Sequence, residues 1–278
     1  MSDIMEVLID SSMWTGVILG VLGALSSEAW PTIWMMMEVN LISFMTLITY
    51  GWAMKKISIL YFIVQSVGSL AILGGGVVSD RASIIGKWVS LGLLLKTSLA
   101  PFHFWGAALI DKLTIWLRLI FLTWQKITPM FLFLTNKSYI TVVIILLNMV
   151  VAASCGIGSK KLQVLIFFSG LIHIRWVISA PTLMACKYFF LYTVVTGPIF
   201  LDKPRPVWLI NLAGLPPLTG FFMKVGVLQL IRVGLGVILL SFSVVLLFSY
   251  MRLYLMGQAG RRAEWVKYLI PCCLGALF

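Results

Sequence analysis

The sequence predicts an all-α integral membrane protein, and three observations support this fold class. Of the 278 residues, 61% are hydrophobic and only 11% are charged, a balance that water-soluble domains of this length do not show. Apolar runs of about 20 residues, the length that crosses roughly 30 Å of hydrocarbon, follow one another along the chain. Helices are favoured over strands because an open sheet in lipid would leave backbone groups unpaired.

The apolar runs divide the chain into about 11 predicted transmembrane helices, which we assign to a single membrane domain, residues 1–278. The predicted spans are 11–27, 29–50, 57–78, 83–107, 114–135, 139–158, 162–180, 182–201, 206–229, 233–254 and 265–278, of which the last is the shortest. The N-terminus has no basic residue ahead of its apolar run and no small-residue cleavage site, so neither a signal peptide nor a transit peptide is predicted.

Basic residues are unevenly distributed between the two sides of the predicted bundle, although the formal net charge is +12. Loops on the side of the N-terminus are predicted to contain Lys55, Lys56, Lys112, Lys160, Lys161, Lys203, Arg205, Arg261 and Arg262. The opposite loops contain chiefly Arg81, Lys87, Lys137 and Arg232. Because basic loops stay on the side from which insertion occurs, the asymmetry places the N-terminus on that side. It also explains the charge without a nucleic-acid partner.

Residues that bind metals or nucleotides form no recognisable motif in this sequence. The four cysteines include no C-x-x-C pair and have no partnering histidine cluster, which argues against an iron–sulfur or zinc site. There is no glycine-rich nucleotide loop, and the spacing of His103 and His173 does not favour a haem site. We therefore expect no cofactor in this chain and no redox centre.

Ionisable side chains inside the predicted spans are the main functional candidates, because each costs at least a few kcal/mol in a bilayer. Glu38 lies in the second span and Lys96 in the fourth. Lys126 lies in the fifth span, and Lys224 lies late in the ninth. The alternative for each residue is a structural ion pair or a side chain that extends to the membrane interface.

Prolines lie close to each of the three lysines. A proline cannot donate to the carbonyl four residues earlier, so that carbonyl needs water or another polar partner. The affected pairs are Pro101 with Thr97, Pro129 with Gln125, and Pro216 and Pro217 with Leu212 and Ala213. Broken helices of this kind are tolerated where they line a hydrated cavity or are buried in protein. A kink used only for packing is the alternative.

The segments "SLAPFHF" (98–104) and "GLPPLTGF" (214–221) share a Leu-x-Pro pattern and lie five predicted spans apart. Because five is odd, the two copies would run in opposite directions, as an inverted repeat requires. The sequence therefore predicts an antiporter-like bundle with two broken helices.

Four segments, "WMMMEVNLISF", "LLLKTSLAPFHFW", "LTWQKITPM" and "NLAGLPPLTGFFMK", resemble in order and spacing the subunit 2 family of mitochondrial complex I, NADH:ubiquinone oxidoreductase. Looser similarity extends over residues 29–254. The resemblance implies an antiporter-like subunit of the inner mitochondrial membrane, with its N-terminus in the matrix, that translocates protons as part of this enzyme. FMN, iron–sulfur clusters and ubiquinone would be bound by other subunits. The implied partners are the other membrane-arm subunits and phospholipids such as cardiolipin.

The resemblance also implies roles for individual residues. Glu38 matches the glutamate that pairs with the broken-helix lysine, and Lys96 matches that lysine. Lys126 matches the central connecting lysine, and Lys224 matches the lysine of the second broken helix, on the exit side. His173 is a further relay candidate, although Arg175 stands two residues later where relatives usually have glycine.

Three other classes of function remain open from the sequence. The chain could be an independent cation/proton antiporter, for which activity without partner subunits would be the evidence. It could also be a structural spacer that holds neighbouring subunits in register. A quinone-binding subunit is the third possibility, because tryptophan and phenylalanine are plentiful, but no convergent polar pocket is readable.

Overall fold

The computed structural model describes residues 2–49, 55–77, 82–135, 139–201, 206–216, 218–231 and 233–258, and all regular structure in these ranges is α-helical. The helices are α1 (Ser2–Ser26), α2 (Trp30–Thr49), α3 (Lys55–Val77), α4 (Ala82–Thr97), α5 (Phe104–Ile110), α6 (Ile115–Leu122), α7 (Trp124–Thr135), α8 (Tyr139–Gly158), α9 (Leu162–Ser179), α10 (Thr182–Leu201), α11 (Pro206–Ala213), α12 (Thr219–Leu228) and α13 (Val233–Gln258). The predicted all-α class is confirmed.

Six described helical segments are long and apolar enough to cross a membrane. They are Trp30–Thr49, Lys56–Val77, Ile115–Thr135, Leu162–Ser179, Thr182–Leu201 and Val233–Arg252. The chain is therefore a multi-pass membrane protein. The number of about 11 spans stays a prediction, and its last span, 265–278, lies outside the described residues.

Proline chemistry explains where several helices begin. Pro31 lies in the first turn of α2, and Pro206 is the first residue of α11. Pro181 directly precedes α10. The first turn of a helix tolerates proline for two reasons. The N–H groups of that turn have no intrahelical acceptor, and the φ angle of proline is already close to the helical value.

The described residues form two compact units, Met1–Ile145 and Leu146–Phe278. In the first unit, α2 packs on α1 and α3, α3 packs on α4, and α7 contacts α1, α4 and α6. An aromatic cluster of Phe44, Tyr61, Trp105 and Phe121 lies in its core, with successive ring centroids 5.4, 6.0 and 5.8 Å apart. These contacts hold the helices that carry the first three candidate residues.

The second unit is organised around α9. Every residue of α9 from Leu165 to Ile178 is buried, whereas α8, α10, α12 and α13 expose large apolar side chains, as lipid-facing helices do. Helix α9 packs on α10, α12 and α13, and α11 contacts α10, α12 and α13. This arrangement brings the interrupted helix α11–α12 against the helix that carries His173.

The two predicted breaks are present in the structure. The fourth span divides into α4 and α5 around a cis Ala100–Pro101 bond, and the ninth divides into α11 and α12 at Gly214. The fifth span, in contrast, is interrupted at Thr123, and α7 continues through Pro129. The Thr123 hydroxyl donates to the carbonyl of Leu119 at 2.6 Å, a bond that bends helices. A proline removes only one backbone bond, which a packed helix accommodates.

Candidate functional site

Two side chains satisfy freed carbonyls at the first break. Ser98 has a left-handed φ of 53°, and its hydroxyl donates to the carbonyl of Thr97 at 2.7 Å. The amide of Gln65 on α3 donates to the carbonyl of Lys96 at 3.1 Å. The sequence predicted that the Thr97 carbonyl needs a polar partner, and in the structure that partner is the neighbouring serine.

Lys96 lies in the last turn of α4, directly before this break, and is half-buried. Its stem passes over Gly68 of α3, where an added Cβ would lie 3.1 Å from Lys96 Cγ. Glu38 on α2 is also half-buried, accepts a short hydrogen bond from the Ser69 hydroxyl and attracts Lys96 electrostatically. The structure therefore brings the two predicted partners within electrostatic range of each other.

Lys126 lies on α7, three residues after the interruption at Thr123, and only 3% of its surface is exposed. The beginning of α7 is fixed by two contacts with other helices. The Trp124 indole donates to the carbonyl of Val17 on α1 at 3.0 Å. Gln125 and Asn40 of α2 exchange two hydrogen bonds. The third predicted lysine is thus held in the interior of the first unit.

The Asn40 and Gln125 side chains form a reciprocal amide pair between α2 and α7. Asn40 Nδ2 donates to Gln125 Oε1 at 2.7 Å, and Gln125 Nε2 donates to Asn40 Oδ1 at 3.1 Å. The pair lies two residues after Glu38 and one residue before Lys126 in the sequence. It connects the helices of two predicted site residues.

A small polar cleft lies between Lys96 and the part of α7 that flanks Lys126. Its lining residues are Met37, Asn40, Leu41, Tyr61, Gln65, Lys96, Gln125, Thr128 and Pro129. The Thr128 hydroxyl is buried and makes no hydrogen bond within the described part of the chain. Amide, amine and hydroxyl groups of this kind can bind water.

In the second unit, Lys224 lies on α12, after the break, and is 4% exposed. Its amine donates a short hydrogen bond to the carbonyl of Ala213 and lies 5.6 Å from the ring centroid of Trp176, a cation–π distance. The Ala213 carbonyl is one of those predicted to need a polar partner. Gly214 leaves room for this contact, since an added Cβ would lie 2.8 Å from Lys224 Cδ. Its φ of +79° also lies in the left-handed region, which favours glycine.

Asn211 of α11 positions the second half of this interrupted helix. Its Oδ1 accepts hydrogen bonds from the Gly220 N–H at 2.8 Å and from the Thr219 hydroxyl at 3.2 Å. These bonds satisfy donors of the first turn of α12 that have no acceptor within the helix. One half-helix therefore caps the other.

His173 and Lys224 are both buried in the interior of the second unit. His173 Nδ1 shares a hydrogen bond of 2.8 Å with the Tyr188 hydroxyl, and the Tyr188 ring stacks on Trp176 with an interplanar angle of 4°. His173, Tyr188, Tyr192 and Lys224 line one small cavity. No spacing in the sequence predicted that His173 and Lys224 lie close together.

Arg175, the departure noted in the sequence, is also buried in α9, with 3% of its surface exposed. Its Nε has no hydrogen-bond partner in the described ranges, and the structure offers no explanation of its presence. In the part of the chain that the structure describes, no group of three or more histidine, cysteine, aspartate or glutamate side chains is arranged to hold a metal ion.

Sequence reasoning missed the uncharged partners of the site. Gln65 and Ser69 on α3, Asn40 and Gln125, and Asn211 all make the contacts described above. A signal for them existed, because amide side chains are costly in apolar spans and three of them lie within three residues of an ionisable residue or a break. Ser69 carried no such signal.

Curated relatives of the chain are named NADH-ubiquinone oxidoreductase chain 2. The relative from Aedes aegypti is 30% identical over 256 residues, which cover 77% of this chain and 74% of the relative. The relative from Aquarana catesbeiana is 29% identical over 277 residues, which cover 82% and 80%. No family model matches the chain.

Solved membrane complexes contain chains with the same fold. A chain of respiratory complex I from Thermus thermophilus matches with a TM-score of 0.81 at 17% identity, over 96% of this chain and 76% of that one. A chain of the Mrp complex from Dietzia sp. matches with a TM-score of 0.73 at 18% identity, over 86% of this chain and 58% of that one. At these identities the likeness concerns the fold alone.

Proposed function

The chain belongs to the NADH-ubiquinone oxidoreductase chain 2 family, and we propose that it translocates protons as a membrane subunit of that enzyme. One observation carries the proposal. Three interrupted helices each place a lysine at or near the interruption, and of these lysines Lys126 and Lys224 are buried and Lys96 is half-buried. Buried ionisable groups at broken helices are the elements from which membrane proteins build ion paths.

In the first unit, the pair of Lys96 and Glu38 would control when a proton is held and when it is released. Burial disfavours the charged form of Lys96, whereas a nearby carboxylate favours it. A change in the separation of Lys96 and Glu38 therefore changes whether the lysine holds or releases its proton. A proton moved against about 180 mV requires about 4 kcal/mol, which a change of this kind in a low-dielectric site can supply.

The relay would run from Lys96 to Lys126 and then to Lys224. Gln65, Thr128 and the amide pair supply polar groups along the cleft beside the first two lysines. Lys224 would release the proton at the exit side, with His173 as a neighbouring member because both line one cavity. No step in this scheme changes the oxidation state of any group in the chain.

We assign the redox chemistry to other subunits. FMN, iron–sulfur clusters and ubiquinone would be bound there, and this chain would act only in the assembled enzyme. Its partners would be other membrane subunits of the complex and phospholipids such as cardiolipin. The location would be the inner mitochondrial membrane.

The decisive experiment compares two lysines of the same helix. In the purified complex, reconstituted in vesicles, Lys96→Met should lower the number of protons translocated per electron pair while NADH oxidation continues. Lys87→Met is the matched control, because Lys87 is an exposed residue of α4. A wild-type ratio in Lys96→Met would remove the basis of the proposal. Cation/proton exchange by the isolated chain would instead favour an independent antiporter.

The proposed orientation places the N-terminus in the matrix. Lys112 and Lys160, both exposed, should then react with an impermeant amine reagent only from the matrix side, whereas Lys87 should react from the intermembrane side. Labelling of Lys160 from the intermembrane side would reverse the orientation.

A further inference from the structure

The reciprocal Asn40–Gln125 pair lies where proton passage between Lys96 and Lys126 would have to be controlled. The two amides line the cleft that lies between Lys96 and the flanks of Lys126. Both side chains are half-buried, and each uses one donor and one acceptor on the other. While they are paired, those groups are withheld from water in the cleft.

Carboxamides differ chemically from the other polar groups of the cleft. A hydroxyl or a water molecule can accept one proton and pass on another, but a neutral amide has no proton that it releases near neutral pH. A chain of water molecules that meets a closed amide pair is therefore interrupted. If the amides separate, each can hydrogen-bond to water instead, and the chain becomes continuous.

The strength of the pair suits a group that opens and closes. Side-chain hydrogen bonds between membrane helices contribute little free energy each, so two of them favour the paired form over the separated form by only about tenfold. The Thr128 hydroxyl, buried in the cleft lining without a hydrogen bond to the described residues, is available to water when the pair opens.

We propose that the Asn40–Gln125 pair is a gate for proton passage between Lys96 and Lys126, closed when the two amides bond each other and open when they bond water. This role rests on the proposed function, because a gate requires a path. Asn40 and Gln125 act as positioning residues for water, and neither carries the proton.

The test uses the complete complex reconstituted in vesicles. Two quantities are measured: the passive proton leak under an imposed gradient without NADH, and the protons translocated per electron pair. Asn40→Ala removes the closed form, so the leak should rise by up to about tenfold and the ratio should fall. Asn40→Leu fills the space with an apolar side chain, so the ratio should fall without any rise in leak.

A double exchange supplies the control. Asn40→Gln combined with Gln125→Asn keeps two amides and their summed length, so both quantities should return towards wild type, whereas each single exchange should depart from it. Gln125→Ala removes the same pair from the other helix and replaces Asn40→Ala if that variant does not assemble.

The gate is overturned if Asn40→Ala, or Gln125→Ala in its place, shows wild-type leak, or if the Ala and Leu variants change both quantities in the same direction. A merely structural pair would give that second result. Lys96→Met separates the two proposals. Normal pumping in Lys96→Met contradicts the proposed function, whereas lost pumping there, with no leak in Asn40→Ala, contradicts the gate alone.

Discussion

The two interrupted helices hold their lysines in opposite ways. In the first unit, Lys96 precedes the break, is half-buried and is attracted by the Glu38 carboxylate. In the second unit, Lys224 follows the break, is buried, and is held by the Ala213 carbonyl and the Trp176 ring. The first lysine depends on a partner that carries charge, and the second depends on groups that do not titrate.

The two units also differ in their numbers of basic and acidic residues. The first unit contains nine basic and seven acidic residues, and the second contains twelve basic residues and only two acidic ones, Asp202 and Glu264, both outside the described residues. An ion pair weakens as soon as one member is neutralised, but a neutral amine still donates to a carbonyl. The contact of Lys96 with Glu38 therefore depends on both charges, whereas the hydrogen bond of Lys224 to the Ala213 carbonyl is available to the charged and the neutral amine.

The largest effect should come from breaking the charged pair. Lys96→Met and Glu38→Gln should each lower the protons translocated per electron pair, because each removes the interaction that would control proton release. The double variant should be no worse than the more severe single variant. Strictly additive, mild effects in reconstituted vesicles would leave only a structural ion pair.

Lys224→Arg should abolish the same share of translocation as Lys224→Met but preserve assembly better. A guanidinium can donate to the Ala213 carbonyl and stack on Trp176, yet it does not release its proton at accessible pH. Pumping ratios together with the yield of assembled complex test this. Lys187→Arg, at an exposed position of α10, is the control. Normal pumping in Lys224→Arg would show that Lys224 need not be neutralised.

Gly214→Ala should destabilise the second break by about 1–2 kcal/mol through its left-handed backbone alone, and it should also displace the Lys224 side chain. Ser98→Gly at the first break should be nearly neutral, because relief of the left-handed serine offsets the lost hydroxyl bond to Thr97. Thermal unfolding of the purified complex compares the two. Equal melting temperatures for both variants would contradict the asymmetry.

The smallest effect concerns the cap inside the second break. Asn211→Ala should cost about 1 kcal/mol, because the first turn of α12 loses its acceptor. Asn211→Asp keeps an acceptor oxygen at a helix N-terminus and should be milder. If the Asp variant melts as low as the Ala variant, the capping oxygen is not what stabilises α12.

Some elements of the site were predictable because their causes are local in sequence. The breaks near Pro101 and near Pro216 and Pro217 were predicted from the missing backbone donors of these prolines, and both breaks are present. The interruption at Thr123 was not predicted, and the helix continues through Pro129, the proline of this span. Hydrogen bonds from the beginning of α7 to α1 and α2 fix the position of this segment, and they join residues 107 and 85 positions apart.

Local sequence patterns were enough to predict a helical membrane protein, the lysines inside its predicted spans and the places where two helices break. Hydropathy and the missing N–H of proline act over a few residues, so both can be recognised from the sequence alone. Helix packing was needed to show that Ser69 binds Glu38, that Gln125 pairs with Asn40 and that Lys224 turns back to Ala213. The first two contacts join different helices and the third crosses a break, so they depend on how helices pack and not on the local pattern of any one of them.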